Sequence, residues 1–201
     1  MWGEVPEQGK RNDFIEIQNM LKAGASNDQI RNRFPTQYFL HRNKIDAVRH
    51  DILEERFGVE YRNVTVIYLH GLTGVGKSRY VFEKYGSHNC CRISNYKNPF
   101  DAYNGQDVIV FEEFRESIPI EQMLEFLDGY PIHLPARYSD KVACYTKVYV
   151  ISNWEFHKQF SVIKRKDQET YNAWKRRFSF IGTLDEVKEY EYEAPDEPVF
   201  D

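Results

Sequence analysis

The segment Gly71-Leu72-Thr73-Gly74-Val75-Gly76-Lys77-Ser78 constrains this chain more than any other. It satisfies every fixed position of the pattern G-x-x-x-x-G-K-[ST], whose glycine-rich backbone cradles phosphates. Its surroundings fit as well. Val64–His70 is β-branched and apolar enough for a buried parallel strand, and Lys77–Lys84 reads as a helix closed by Gly86. A strand, a tight loop and a helix N-terminus aim backbone N–H groups at an anion. The expected ligand is a nucleoside triphosphate, ATP with Mg²⁺. Gly71, Thr73, Gly74, Val75, Gly76, Lys77, Ser78 and Arg79 are expected to form the cradle. Lys77 is long enough to reach the outer phosphates, and Ser78 can place its hydroxyl on the metal.

The rest of the chain reads as α/β around that loop. Further strands are expected at Cys90–Ile93, Val108–Phe111, Lys147–Ser152 and Phe178–Ile181, with helices at Ile120–Leu127 and Glu169–Arg176. Alternation between Tyr130 and Thr146 predicts a β-hairpin, with Arg137-Tyr138-Ser139-Asp140-Lys141 at its turn. Upstream, residues 1–12 read as a linker and 13–58 as three helices. Asp13 can cap the first and Gly24 ends it. Ser26 or Asn27 can cap a short second helix that stops at Pro35. The third runs from about Thr36 to Gly58. Such a bundle buries little by itself, so it is expected to pack on the next domain, residues 59–184, or on neighbouring copies.

Net charge is −4 over 201 residues, but it is uneven. Asp185 to Asp201 hold eight acids and one lysine, leaving +3 for the remainder. This acidic tail, residues 185–201, is expected to be solvated and partly disordered. Cys90, Cys91 and Cys144 make neither a disulfide framework nor a zinc spacing, which suits a reducing, intracellular compartment. No apolar run approaches the ~20 residues of a membrane span. The six histidines form no ligand cluster. Trp154 and Trp174 are expected to serve core or interface packing, and Phe100, Tyr103 and Phe114 to lie in the core.

Three further signals bear on chemistry. The apolar strand Val108–Phe111 ends in Glu112 and Glu113. The first carboxylate can hold the Mg²⁺ shell and the second can polarise an attacking water. Strands often end in acids, so the pair gains its meaning from the phosphate loop upstream; aspartate is commoner at the metal position. The strand Lys147–Ser152 delivers Asn153, which can hold the water or the γ-phosphate, or simply cap a helix. Arg176 and Arg177 precede an apolar strand. Either could reach a neighbour's γ-phosphate as an arginine finger, and the sequence does not choose between them.

In this order, these elements resemble the superfamily-three helicase domain of replication-initiator (Rep) proteins of circovirus-like single-stranded DNA viruses and related plasmids. The resemblance rests on Gly71–Ser78, Val108–Phe114 and Ser152-Asn153. It extends to Tyr130–Ala143, which looks like that family's DNA-contacting hairpin, and to Pro6–Asp13, which looks like its interdomain joint. It implies an AAA+-like core, a mostly parallel sheet flanked by helices, and an ATPase that encircles single-stranded DNA as a ring, a hexamer. Residues 13–58 would then be the oligomerisation unit, and Arg137 and Lys141 would grip phosphates. It implies action in a host nucleus for a eukaryotic virus, or in a bacterial cytoplasm for a plasmid. The family's endonuclease domain uses His-hydrophobic-His and Tyr-x-x-Lys motifs. No His-x-His occurs, and Tyr138-Ser139-Asp140-Lys141 sits on the hairpin as a coincidence, so no nicking is expected and the nuclease half would be separate or missing. Two other readings stand beside this one: a P-loop kinase of a small nucleotide or metabolite, and a nucleotide-switched DNA-binding or assembly module without turnover.

Overall fold

The computed structural model describes residues 12–137 and 139–193. The chain divides between Arg56 and Phe57 into two compact units. The first holds helices α1 (Asn12–Lys22), α2 (Asn27–Arg33) and α3, which begins at Pro35 and runs to Phe57 with a break at His41. Ser26 is the cap of α2: its hydroxyl accepts from the Gln29 N–H, and the Gln29 side chain accepts from the Ser26 N–H. Pro35 opens α3 instead of merely stopping α2, because its fixed φ suits the first helical position and its missing N–H costs nothing there. Ile17, Leu21, Ile30 and Ile45 form the small core of this unit. Phe39 and Leu40 stay 85% and 65% exposed.

The second unit is built on a five-stranded parallel sheet. Its strands are β1 (Thr65–His70), β2 (Cys90–Ile93), β3 (Val108–Phe111), β6 (Lys147–Ser152) and β7 (Phe180–Gly182), in the spatial order β2-β3-β6-β1-β7. Successive side chains on a strand point to opposite faces, so a sheet covered on both sides needs near-continuous apolar strands. Val66, Tyr68, Ile109, Phe111, Val148 and Val150 enter one core. Their alternates Ile67, Leu69, Val108, Val110, Tyr149 and Ile151 enter the other. Trp174 on α7 (Gln168–Arg176) anchors the first, with ring centroids 4.5 Å from Phe178 and 5.2 Å from Phe160. Burying a side chain of this size contributes roughly 1.5–3 kcal/mol or more. The remaining helices of this unit are α4 (Lys77–Tyr85), α5 (Ile120–Phe126), α6 (Ser161–Lys166) and α8 (Leu184–Glu193).

The hairpin forms as a separate two-stranded ribbon, β4 (His133–Leu134) against β5 (Lys141–Val142). Two expectations need correction, for the last strand and for the acidic segment. The last strand is Phe180–Gly182, not Phe178–Ile181, because Phe178 turns into the aromatic core beside Trp174 and Phe156. Trp154, expected to serve core or interface packing, stands 36% exposed beneath the Arg115 guanidinium, 5.8 Å from its ring. The acidic segment is not a solvated tail up to Glu193. It folds as α8, with Val187 fully buried against the sheet, because an i, i+3 apolar pair (Leu184, Val187) and Tyr190 outweigh its charge. Most of the expected linker (residues 1–11), Tyr138 and the end of the acidic tail (194–201) lie outside the described residues.

Candidate active site: a phosphate loop facing two carboxylates and an amide

Strand order brings the site together. The chain lays β6 between β1 and β3, with His70 beside Ser152 and Phe111 beside Val150. The loops leaving the C-terminal ends of these three neighbours therefore open into one crevice. From β1 comes Gly71–Gly76, with Gly74 and Gly76 at φ +89° and +92°, a left-handed conformation that side chains disfavour. From β3 come Glu112 and Glu113, and from β6 comes Asn153.

The side chains are already in mutual contact. Lys77 is 6% exposed, and its Nζ donates to the Gly71 and Leu72 carbonyls at 2.7 and 2.8 Å and lies 3.5 Å from Asn153 Oδ1. Burial lowers its pKa from the ordinary lysine range, while Glu113 and Glu112 act in the opposite sense. Ser78 Oγ donates to Glu112 Oε2 at 2.8 Å. Asn153 Nδ2 donates to Thr73 Oγ1 at 3.0 Å and to Glu113 Oε2 at 3.1 Å. One amide thus touches the phosphate loop and the second carboxylate at once.

Glu112 and Glu113 are held differently. Glu112 is 5% exposed and its Oε1 is buried without a hydrogen-bond partner; the nearest cation is Arg92 Nε at 3.4 Å. A hydroxyl beside a buried, half-satisfied carboxylate oxygen is a donor set that a hard divalent cation fits. Glu113 takes φ +50°, a strained conformation for a non-glycine residue, and its carboxylate is half exposed with Arg115 at 3.8 Å.

Gln159 is a residue that sequence reasoning missed. It is fully buried, and its Nε2 lies 2.8 Å from Tyr68 Oη, 3.0 Å from the Phe114 carbonyl and 3.2 Å from Ser152 Oγ. Its Oε1 accepts from the Glu116 N–H at 3.0 Å. Ser152 Oγ in turn donates to the Phe114 carbonyl and accepts from the Trp154 N–H. This polar knot ties the segment after Glu113 to the segment around Asn153. A glutamine in a polar stretch carries no sequence signal for such a role.

The cleft beside the loop measures about 530 Å³ and is lined from Thr73 through Tyr80 and by Glu83, Glu113, Leu184 and Lys188. All residues expected to cradle phosphate reach it except Gly71, which holds Lys77 from behind. Neither Arg176 nor Arg177 lines it. Arg177 pairs with Asp128 at 2.6 Å, while Arg176 is exposed. Arg137 and Lys141 line a different cleft with Asp101. Asp101 accepts from the Arg137 N–H at 3.0 Å and from its Nε at 2.6 Å. Lys141 Nζ donates to the carbonyls of Asp101 and Tyr103, at 3.0 Å for the first, so most of its donor capacity is spent inside the fold.

Residues 67–153 match the RNA helicase family model. That span runs from within β1 through Asn153 and contains the phosphate loop, both carboxylates and the amide. The likeness is to a helicase family. The chain is 30% identical to the goose circovirus replication-associated protein over 135 residues, 66% of this chain and 43% of that relative. It is 29% identical to the replication-associated protein of human associated cyclovirus 1, over 64% of this chain and 47% of the relative. The chain therefore spans less than half the length of these relatives. Among solved structures, an ADP complex of Hsp104 from S. cerevisiae matches 85% of this chain and 41% of its own at TM-score 0.42 and 15% identity. The matched span ends one residue before Trp154, whose backbone carbonyl accepts from Tyr68 Oη of β1 at 2.8 Å.

Proposed function

We propose that the protein is the ATP-hydrolysing helicase part of a replication-associated protein, working on single-stranded DNA as a ring of copies. The observation that carries this reading is the contact of Asn153 with both Thr73 and Glu113 across the mouth of the phosphate loop. That arrangement suits attack by water at a γ-phosphate better than transfer to a hydroxyl substrate.

In this reading Thr73–Ser78 hold the triphosphate with backbone N–H groups, and Arg79 lines the entrance. Lys77 exchanges its bonds to Gly71 and Leu72 for phosphate oxygens, so its charge is placed without a large movement. Ser78 and Glu112 would hold Mg²⁺, which would supply positive charge to neutralise the phosphates. Glu113 accepts a hydrogen bond from the attacking water and polarises it, and Asn153 orients that water against the γ-phosphate. Arg176, exposed and outside its own cleft, is the arginine free to reach a neighbour's nucleotide; Arg177 is committed to Asp128. Phe39 and Leu40 offer apolar surface for contact between copies. Arg137, held by Asp101 through Nε, presents the rest of its guanidinium to a DNA phosphate. Such contacts are sequence-blind and weaken with salt.

The test is phosphate release with ATP and Mg²⁺, with and without single-stranded DNA, beside Lys77→Ala. DNA-stimulated turnover that the variant loses, while melting like the parent, is the expected result. Undiminished turnover in Lys77→Ala overturns the site assignment. Binding of ATP without release of phosphate under any condition supports a nucleotide-switched module instead.

A further inference from the structure

The cleft beside the phosphate loop is longer than phosphates require. The loop and the first turn of α4 account for one end. The other end is made by Tyr80 and Glu83, farther along α4, and by Leu184 and Lys188 of α8. With a rise of ~1.5 Å per residue, Glu83 stands about 9 Å beyond Lys77 along the helix. A volume of about 530 Å³ falls within the ~300–1,000 Å³ typical of small-ligand sites. The outer half leaves room for whatever carries the phosphates.

The outer half is built, not incidental. Thr183 and Glu186 cap α8, the carboxylate accepting from the Thr183 N–H at 2.7 Å and from its hydroxyl at 2.8 Å. Val187 is fully buried beneath it. Glu191 is 8% exposed and sits among tyrosines. Its oxygens accept from the hydroxyls of Tyr80, Tyr149 and Tyr85, and Lys84 Nζ lies 3.1 Å away. Burial and this carboxylate both raise the pKa of Tyr80, so its hydroxyl remains a donor. The anchor fixes α8 to α4 and to β6, the strand that delivers Asn153. On the exposed side, Lys188 Nζ stands 5.8 Å from the centre of the Tyr80 ring. The chemistry collected here is one aliphatic face, one aromatic ring, one cationic donor and one carboxylate acceptor. That set suits a flat heteroaromatic ring with donors and acceptors on its edge.

We propose that α8 supplies the nucleoside half of the site, with Leu184 and Lys188 holding the base and ribose opposite Tyr80 and Glu83, and with Glu191 as the anchor that keeps α8 in place. The proposal rests on the nucleotide-binding reading above and adds to it the residues that distinguish a nucleotide from a bare polyphosphate. The segment with the strongest acidic bias thus becomes part of the binding site.

Calorimetric titration of the full chain with ATP and, separately, inorganic tripolyphosphate, both with Mg²⁺, tests it. Lys188→Ala and Leu184→Ala are each expected to raise the Kd for ATP by about tenfold, roughly one lost contact, while leaving the Kd for tripolyphosphate unchanged. Lys188 is half exposed, so its removal leaves folding intact. Unchanged ATP affinity in both variants overturns the proposal. So does equal weakening for both ligands, since that is loss of the phosphate end or of the fold. A parent protein that binds neither ligand refutes the nucleotide reading itself, and the inference with it.

Discussion

Glu112→Gln is expected to raise the stability of the ligand-free protein while removing the stabilisation that Mg²⁺ adds to ATP. In the parent, Glu112 Oε2 accepts from Ser78, but Oε1 is buried and lacks a hydrogen-bond partner. An unsatisfied buried polar group costs ~1–3 kcal/mol, and more when charged. The offsetting ion pair is weak: Arg92 stands at 3.4 Å with its side chain 62% exposed, and a screened pair of that kind is worth ~0–1 kcal/mol. Glutamine keeps the acceptor for Ser78 and removes the charge, but still buries an N–H₂ without an acceptor. The net gain is therefore about 1 kcal/mol, or ~2–4 °C in Tm for a unit of this size. Ligand has the larger effect in the parent. At a concentration ~100 times its Kd, Mg²⁺–ATP stabilises by ~2.7 kcal/mol, roughly 5–11 °C. Scanning calorimetry with ATP, in Mg²⁺ and then in excess chelator, reads both numbers. The variant should begin higher, rise only as far as the parent does in chelator, and release no phosphate. A variant that melts several degrees below the parent without ligand, yet keeps the Mg²⁺-dependent rise, would show that Glu112 is a structural acceptor and that the metal lies elsewhere.

Further outcomes follow from the same geometry. Asp101→Ala removes the group that orients Arg137; affinity for single-stranded DNA should fall about three- to tenfold at low salt, with a shallower salt dependence and unchanged ATP binding, read by fluorescence anisotropy across a salt series. Tighter DNA binding by the variant would mean that Asp101 competes with phosphate for Arg137. Arg176→Ala should lower turnover by at least ~10²-fold if the residue acts as an arginine finger, while Arg177→Ala should mainly lower the melting temperature through the lost Asp128 pair. Mixing Arg176→Ala with Lys77→Ala protein should restore part of the activity, because each copy supplies what the other lacks; no recovery in the mixture would place the arginine's action within one copy.

Legibility differed from element to element for physical reasons. The phosphate loop was visible because its backbone conformation demands glycines at fixed spacing and its chemistry demands Lys77 and Ser78, so the requirements are local. The strands of the sheet were visible because two-sided burial writes itself as unbroken apolar runs, as in Val108–Phe111. Glu112 and Asn153 were visible only as strand ends that follow such a loop. Harder cases depended on partners distant in sequence. Phe178 looked like strand until Trp174 and Phe156 claimed it for the core. Arg177 and Arg176 were equivalent until Asp128, far upstream, took one of them. Arg137 and Lys141 looked alike until Asp101 oriented the first and the carbonyls of Asp101 and Tyr103 occupied the second. Gln159 and Glu191 had no signal at all, since a buried polar residue is recognised by the groups that satisfy it.

The sequence by itself determined the α/β class, the phosphate loop and the identity of the acids and amide that face it, because each follows from short-range backbone and side-chain requirements. Tertiary structure decided which arginine pairs with Asp128, how the two hairpin cations are held, and that the acidic segment up to Glu193 folds as a helix beside the cleft. Those outcomes turn on long-range burial and pairing: a charge counts as solvated or as structural only once the fold has placed tyrosines around Glu191 or a carboxylate beside Arg137.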